Sequence, residues 1–164
     1  MTLKLIRKDF LPYSHQTIDQ SDIQAVVEVL QSDYLTTGPK VPEFEKAFAK
    51  YVGARYAVAV ANGTAALHAA VAVAGIQAGD EVITTPITFA ASANAILYCG
   101  GQPVFADIEA DTYNIDPDAV RQLITPKTKA IIPVHFTGQP VNIQAIRELA
   151  AEYKLVVIED AAHA

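Results

Sequence analysis

Before residue 55 the chain carries two segments with apolar residues at helical spacing. In "TIDQSDIQAVVEVLQS" the residues Ile23, Val26, Val27 and Leu30 fall on one face, behind polar residues suited to a helix N-cap. In "VPEFEKAFAKYVG" the same face is built by Phe44, Ala47, Phe48 and Tyr51, and Gly53 reads as a helix stop. From residue 56 the rhythm changes. Short apolar runs alternate with helical segments: "YAVAVA" precedes "NGTAALHAAVAVAG", and "EVITT" precedes "FAASANAILYCG". "QPVFAD" leads to a short helix near "DPDAVRQLI", "KAIIPVH" leads to "NIQAIRELAAEYK", and "LVVIED" comes last. The runs are continuously apolar rather than alternating, as in parallel strands covered on both faces. Strand–helix alternation builds βαβ units. The sequence therefore predicts an N-terminal helical segment over 1–55 and a three-layer α/β domain with a mainly parallel sheet over 56–164.

Composition narrows this picture. Hydrophobic residues at 51% and charged residues at 18% exclude a disordered chain. The net charge of −6 comes from interspersed acids and bases with no basic stripe, so nucleic acid is not an expected partner. The lone cysteine, Cys99, excludes a disulfide framework and argues against a thiolate metal site. The histidines, His15, His68, His135 and His163, have no zinc-site spacing, and no metal is expected. "MTLKLIRKDFLPYSHQ" lacks the apolar core of a signal peptide, and the apolar stretches break well short of a membrane span. These features predict no membrane association and a cytoplasmic location.

Open α/β sheets bind ligands at the carboxyl ends of their strands. That rule singles out Asn62 to Ala65, Thr85 to Phe89, Asp107, His135 to Gly138, and Glu159 to His163. In "ANGTAAL", Asn62 is a good N-cap, and the open first turn at Gly63 and Thr64 suits a phosphate; it equally suits an ordinary capped helix. It is neither a Walker loop nor a G-x-G-x-x-G fingerprint. Phe89 is placed either to lie on a planar ligand or to pack into the core. In "IEDAAHA", adjacent acids in an extended chain point to opposite sides, so one faces the crevice and one faces away. Asp160 is either an ion-pair partner for a protonated ring nitrogen or the cap of a following helix. His163 and His135 are ligand contacts or satisfied histidines. "SDYLTTGPKVPEFE" reads as a loop with two available threonine hydroxyls.

In this order the segments resemble the sugar-nucleotide aminotransferases of the DegT type, a branch of the fold type I pyridoxal-phosphate (PLP) enzymes. The resemblance runs through "LTTGPKVPEFEKAFAKYVG", "ANGTAALHAA", "GDEVITTPITFAASANAI", "PVFADI", "KAIIPVHFTGQP" and "VIEDAAHA". The opening "PYSHQTIDQSDIQAVVEVLQSDYLTTGP" looks most like the branch of pseudaminic acid synthesis that makes UDP-4-amino-4,6-dideoxy-N-acetyl-β-L-altrosamine. The resemblance implies the large PLP-binding domain and amino transfer from glutamate to C4 of a UDP-4-keto-6-deoxy-HexNAc sugar. It also implies a homodimer in the full-length protein. It assigns the PLP phosphate to Gly63, Thr64 and Ala65, one ring face to Phe89 and the other to Ala162. Asp160 would pair with the pyridine nitrogen, and His163 would sit near the ring hydroxyl or phosphate. Tyr13, Asp33, Tyr34, Leu35, Thr36 and Asn62 would contact the nucleotide sugar. The Schiff-base lysine of this family lies in a Ser-Phe-His-x-x-Lys-like motif, and no lysine here stands in such a context. The resemblance thus implies an N-terminal fragment, without the lysine region and small domain, that is inactive alone. Three other readings are a transaminase of a different nucleotide-linked keto sugar, a non-catalytic module holding PLP or nucleotide, and a dinucleotide-dependent oxidoreductase. The missing glycine fingerprint opposes the last.

Overall fold

The computed structural model of the chain describes residues 10, 12 and 15–164. Tyr13 lies outside the described residues. Two compact units are present, Met1–Ala59 and Val60–Ala164.

The first unit carries α1 (Gln20–Leu30) and α2 (Lys40–Val52). A reciprocal capping box starts α1: Asp19 Oδ1 accepts the Asp22 N–H at 3.2 Å, and the Asp22 carboxylate accepts the Asp19 N–H at 2.9 Å. The Ser21 hydroxyl, followed by the backbone N–H groups of Asp22 and Ser21, holds the Asp19 carboxyl below its ordinary value. Gly53 ends α2 in the left-handed conformation, φ 70°, which glycine adopts without a Cβ penalty. The apolar stripes read from the sequence are present but unburied: Ile23, Val26, Leu30, Phe44 and Phe48 are all exposed.

The second unit is built on a fully parallel sheet of β1 (Glu81–Thr84), β2 (Gln102–Phe105), β3 (Thr128–Ile132) and β4 (Val156–Val157), in the order β2-β1-β3-β4. The connecting helices are α3 (Gly63–Val73), α4 (Ala91–Tyr98), α5 (Pro117–Leu123) and α6 (Ile143–Tyr153). Strand alternation divides the core between two faces. Val82, Ala130 and Ile132 pack with Leu67 and Val71 of α3 and with Ala91, Ala95 and Ile96 of α4. Ile83 and Ile131 point the other way, onto Val120 of α5 and Ile146 and Leu149 of α6. The expected three-layer α/β architecture with a parallel sheet is therefore present. The central strands are buried on both faces, which explains their unbroken apolar runs. Each fully buried Ile or Val there contributes about 1.5–3 kcal/mol by area removed from water.

One expected strand is not formed. Residues 56–61, "YAVAVA", belong to no strand, and Tyr56, Val58 and Val60 are exposed. A strand is defined by its ladder, and here the Ala59 N–H donates to the Glu45 side chain at 2.8 Å instead. The last strand is also shorter than expected. Pro133 has no N–H, so the ladder of β3 is interrupted after Ile132. It resumes as an isolated parallel bridge between Val134 and Asp160.

Among the described residues, no helix is long and apolar enough to cross a membrane, and no group of three His, Cys, Asp or Glu side chains is placed to hold a metal ion. Cys99 is half-buried at the end of α4 and packs against the α3–α4 side of the core.

Candidate active site

The chain passes from β1 to β2 on one side of the sheet and then crosses to β3 on the other. The resulting switch point lies between β1 and β3, and ligands of such sheets bind outside the carboxyl ends of the strands there. A small cleft lies at that edge. It encloses about 50 Å³ and is lined from three strand ends. Thr88 and Phe89 follow β1; Val134, His135 and Phe136 follow β3; Asp160, Ala162 and His163 follow β4. Phe89, more than seventy positions away in sequence, thus meets Asp160, Ala162 and His163 in one place.

Asp160 is the most constrained of these. Its N–H donates to the Pro133 carbonyl at 2.9 Å, and its carbonyl accepts the His135 N–H at 3.0 Å. Its carboxylate accepts the Ser92 hydroxyl on Oδ2 at 2.7 Å and the Ala162 N–H on Oδ1 at 3.3 Å. It is only 8% exposed. Each oxygen has one donor and therefore keeps acceptor capacity. A buried carboxylate needs a partner for its charge, and in this cleft the hydrogen-bond donors it holds are neutral. Phe89 is 79% exposed, leaving its ring available rather than buried in the core. Ala162 and His163 are exposed as well. A cleft this small encloses no ring.

Glu159 occupies the opposite face of the strand. It accepts from Arg147 of α6 at 3.0 Å and lies 3.2 Å from His135 Nε2. His135 is buried, and its Nδ1 accepts the Val141 N–H at 3.1 Å. A neutral imidazole accepting at Nδ1 carries its proton on Nε2, which donates to Glu159. Both ring nitrogens are thereby engaged within the fold, and His135 presents only its ring to the cleft.

The short 3₁₀ turn Phe136–Gly138 closes one side. Gly138 has φ +87°, and a Cβ there would stand 2.9 Å from the His163 carbonyl oxygen. Both the left-handed backbone and the close approach demand glycine. Gly138→Ala is expected to cost about 1–2 kcal/mol. Urea unfolding checks this, and unchanged stability would mean that the turn and the His163 carbonyl are not tightly packed.

Asn62 caps α3, with Oδ1 accepting the Ala65 N–H at 2.8 Å. Ala65 is therefore already engaged, leaving Gly63 and Thr64 as the helix N-terminal donors without intrahelical acceptors. A Cβ on Gly63 would meet no atom within 4 Å, so the approach to this turn is open. Asn62 to Ala65 are not among the residues lining the small cleft. In the first unit, Tyr34, Leu35 and Thr36 line a separate cleft of about 270 Å³ between the end of α1 and the start of α2, which Asp33 does not line.

Two polar residues here, Ser92 and Asn114, escaped the sequence reading, and Thr88 is singled out there only as part of a strand-end segment. Thr88 and Ser92 pair through their hydroxyls at 2.9 Å beneath Asp160. Asn114, fully buried, bonds the Phe136 N–H and the carbonyls of Gln139 and Pro140, each at 3.0 Å. The hydroxyls four residues apart in "TFAAS" were the available sequence signal for Ser92.

Residues 16–164 match the DegT/DnrJ/EryC1/StrS aminotransferase family. The spore coat polysaccharide biosynthesis protein SpsC of Bacillus subtilis is 52% identical over 158 residues, covering 96% of this chain and 41% of the relative. The putative sugar aminotransferase Spr1654 of Streptococcus pneumoniae, solved in its PLP form, superposes with a TM-score of 0.89 at 34% identity, over 94% of this chain and 43% of that one. PseC of Helicobacter pylori, an aminotransferase involved in the biosynthesis of pseudoaminic acid, superposes with a TM-score of 0.86 at 36% identity, over 93% of this chain and 42% of that one. The chain thus spans about two fifths of the length of these relatives.

Proposed function

Because the chain belongs to the DegT/DnrJ/EryC1/StrS aminotransferase family, we propose that its α/β unit is the cofactor platform of a PLP-dependent sugar-nucleotide aminotransferase. The observation that carries this reading is the buried, pre-oriented Asp160 carboxylate facing a cleft beside the exposed Phe89 ring. An anionic acceptor next to an aromatic surface fits a cationic heteroaromatic N–H, and these residues fit PLP in that respect.

When bound, PLP supplies a protonated pyridine ring that draws off negative charge developing at the substrate carbon. Asp160 keeps the proton on the ring nitrogen, because an opposite charge in contact favours the cationic form. Its two backbone bonds to the β3 extension and its two side-chain donors fix it before the ligand arrives. Phe89 and Ala162 flank the ring, and His163 lies at its rim. Gly63 and Thr64, with the open start of α3, receive the phosphate on unpaired N–H groups and the positive end of the helix dipole. Ala65 joins them where Asn62 releases its N–H. The resemblance assigns contacts with the nucleotide sugar to Asn62 and, separately, to Tyr13 and the stretch Asp33 to Thr36.

The complete enzyme transfers the amino group of glutamate to C4 of a UDP-4-keto-6-deoxy-HexNAc sugar, as in pseudaminic acid synthesis, and works as a cytoplasmic homodimer. No lysine lines the cleft among the described residues, and these 164 residues alone do not turn over. The higher identity to SpsC than to PseC favours, as a second reading, a different nucleotide-linked keto sugar. The test supplies the complete enzyme with PLP, glutamate and a panel of nucleotide-linked keto sugars, and follows amino-sugar formation by mass spectrometry. Product from the UDP-4-keto-6-deoxy-HexNAc substrate supports the first reading. Product only from another keto sugar replaces it with the second, and no product from any of them removes both.

Phe89→Ala is expected to weaken cofactor binding about 2- to 10-fold, the range for one aromatic stacking contact. Fluorescence titration with pyridoxamine 5′-phosphate reads it, and unchanged affinity would remove Phe89 from the ring face.

A further inference from the structure

We propose that Thr88 and Ser92 form a two-hydroxyl relay that fixes the direction of hydrogen bonding onto Asp160 and holds it as an acceptor for a cationic ring nitrogen. This rests on the aminotransferase reading above and deepens it. Ser92 Oγ lies 2.7 Å from Asp160 Oδ2 and 2.9 Å from Thr88 Oγ1. Ser92 is fully buried, so no solvent competes for its bonds. A serine hydroxyl has one proton to give. A carboxylate has none, so the Ser92 proton goes to Oδ2; the Phe89 carbonyl, at 3.3 Å, is the longer and weaker alternative. Ser92 then offers Thr88 only lone pairs, and Thr88 must be the donor. The chain runs from Thr88 through Ser92 to Asp160, and each link polarises the next.

Two consequences follow for the site. A proton on Asp160 Oδ2 would reverse the chain and turn the Ser92 hydroxyl to the longer 3.3 Å bond to the Phe89 carbonyl, so the short bonds are kept together by an acceptor there. The same serine sits on α4, directly after the segment that carries Phe89. One hydroxyl therefore ties the carboxylate to the helix start that positions the ring face. The other titratable side chains lining the cleft are His135, whose nitrogens are both engaged, and His163. Ser92 and Thr88 are positioning residues, acting through Asp160.

The test uses pyridoxamine 5′-phosphate labelled with ¹⁵N in its ring, bound at saturation to the complete enzyme, and follows protonation of that nitrogen against pH by NMR. With the wild-type enzyme the nitrogen is expected to hold its proton to higher pH than in the free compound. Ser92→Ala is expected to lower the ring nitrogen's hold on the proton relative to Asp160 about tenfold, because the carboxylate loses a charge-assisted hydrogen bond that keeps the proton off its own oxygen. Thr88 is only half-buried, so its variants read the relay even where Ser92→Ala disturbs packing. Thr88→Val, near in shape, is expected to lower the affinity by a smaller factor, and Thr88→Ser to keep it. Wild-type behaviour in both Ser92→Ala and Thr88→Val, with Asp160→Asn still lowering the affinity, overturns the relay and leaves the Asp160 role intact. Equal loss in Thr88→Val and Thr88→Ser also overturns it, because the hydroxyl is then not the agent. A wild-type titration no different from that of the free compound overturns the Asp160 role itself.

Discussion

Asparagine in place of Asp160 is expected to lower transamination by the complete enzyme about 10- to 100-fold while leaving the fold intact. The substitution is nearly isosteric. The amide oxygen still accepts from Ser92, whose bond at 2.7 Å is the stronger of the two side-chain contacts. The amide nitrogen then faces the Ala162 N–H, and only that long 3.3 Å bond is lost. The backbone bonds to Pro133 and His135 are untouched. What disappears is the negative charge beside the ring nitrogen, which no longer holds its proton as firmly. A hydrogen bond to a charged group is worth about 1.5–3 kcal/mol, which sets the expected factor. The loss belongs to kcat, since the charge matters most as negative charge develops on the substrate carbon. Steady-state kinetics beside a urea unfolding curve separate the two effects. Turnover near that of the wild type would remove Asp160 from the chemistry.

The second large effect is expected in stability. Asn114→Ala should destabilise the α/β unit by about 2–4 kcal/mol. Asn114 is 1% exposed and satisfies three backbone groups of the 136–140 segment. Alanine leaves the Phe136 N–H and the carbonyls of Gln139 and Pro140 without that partner. Each buried, unsatisfied group costs about 1–3 kcal/mol, reduced where water enters the loop. This segment follows His135 directly and brings Phe136 to the cleft, so its loosening also reaches the site. Chemical denaturation gives the size, and hydrogen exchange at the Phe136 amide locates it. A variant within about 0.5 kcal/mol of wild type would mean that other contacts hold the loop.

Periodicity revealed the elements whose own residues carry the burial pattern. The helices α3 to α6 and the central strands were legible because burial on one stripe, or on both faces, leaves a pattern in the residues themselves. The segment 56–61 has the composition of a strand, but composition does not say where its backbone hydrogen bonds go, and the Ala59 N–H goes to Glu45. Pro133 was visible in the sequence; its effect on the ladder was not, because that depends on which strand lies alongside. The site divided in the same way. Asp160 and Phe89 stood out by position, at strand ends where chemistry gathers. Ser92 reads as a helix residue among alanines, and Asn114 as one more polar loop residue beside Tyr113, which has a left-handed φ of 60°. Their roles arise from partners distant in sequence: 68 positions between Ser92 and Asp160, and 22 to 26 between Asn114 and its loop.

The placement of Glu159 and Asp160 on opposite sides of the segment that follows β4 has an evolutionary consequence. The two acids are out of phase by one residue: one braces His135 and Arg147, and the other serves the cleft. Gaining or losing a single residue ahead of them would exchange their surroundings, presenting the brace to the cleft and the working carboxylate to α6. Length drift here is therefore restricted by parity, and the preceding α6–β4 connection is only Lys154 and Leu155, with the Leu155 N–H bonded to the Ala150 carbonyl at 2.8 Å. In diverging relatives, insertions should therefore be excluded from the stretch between the end of α6 and Asp160, and appear before α6 or after the cleft residues.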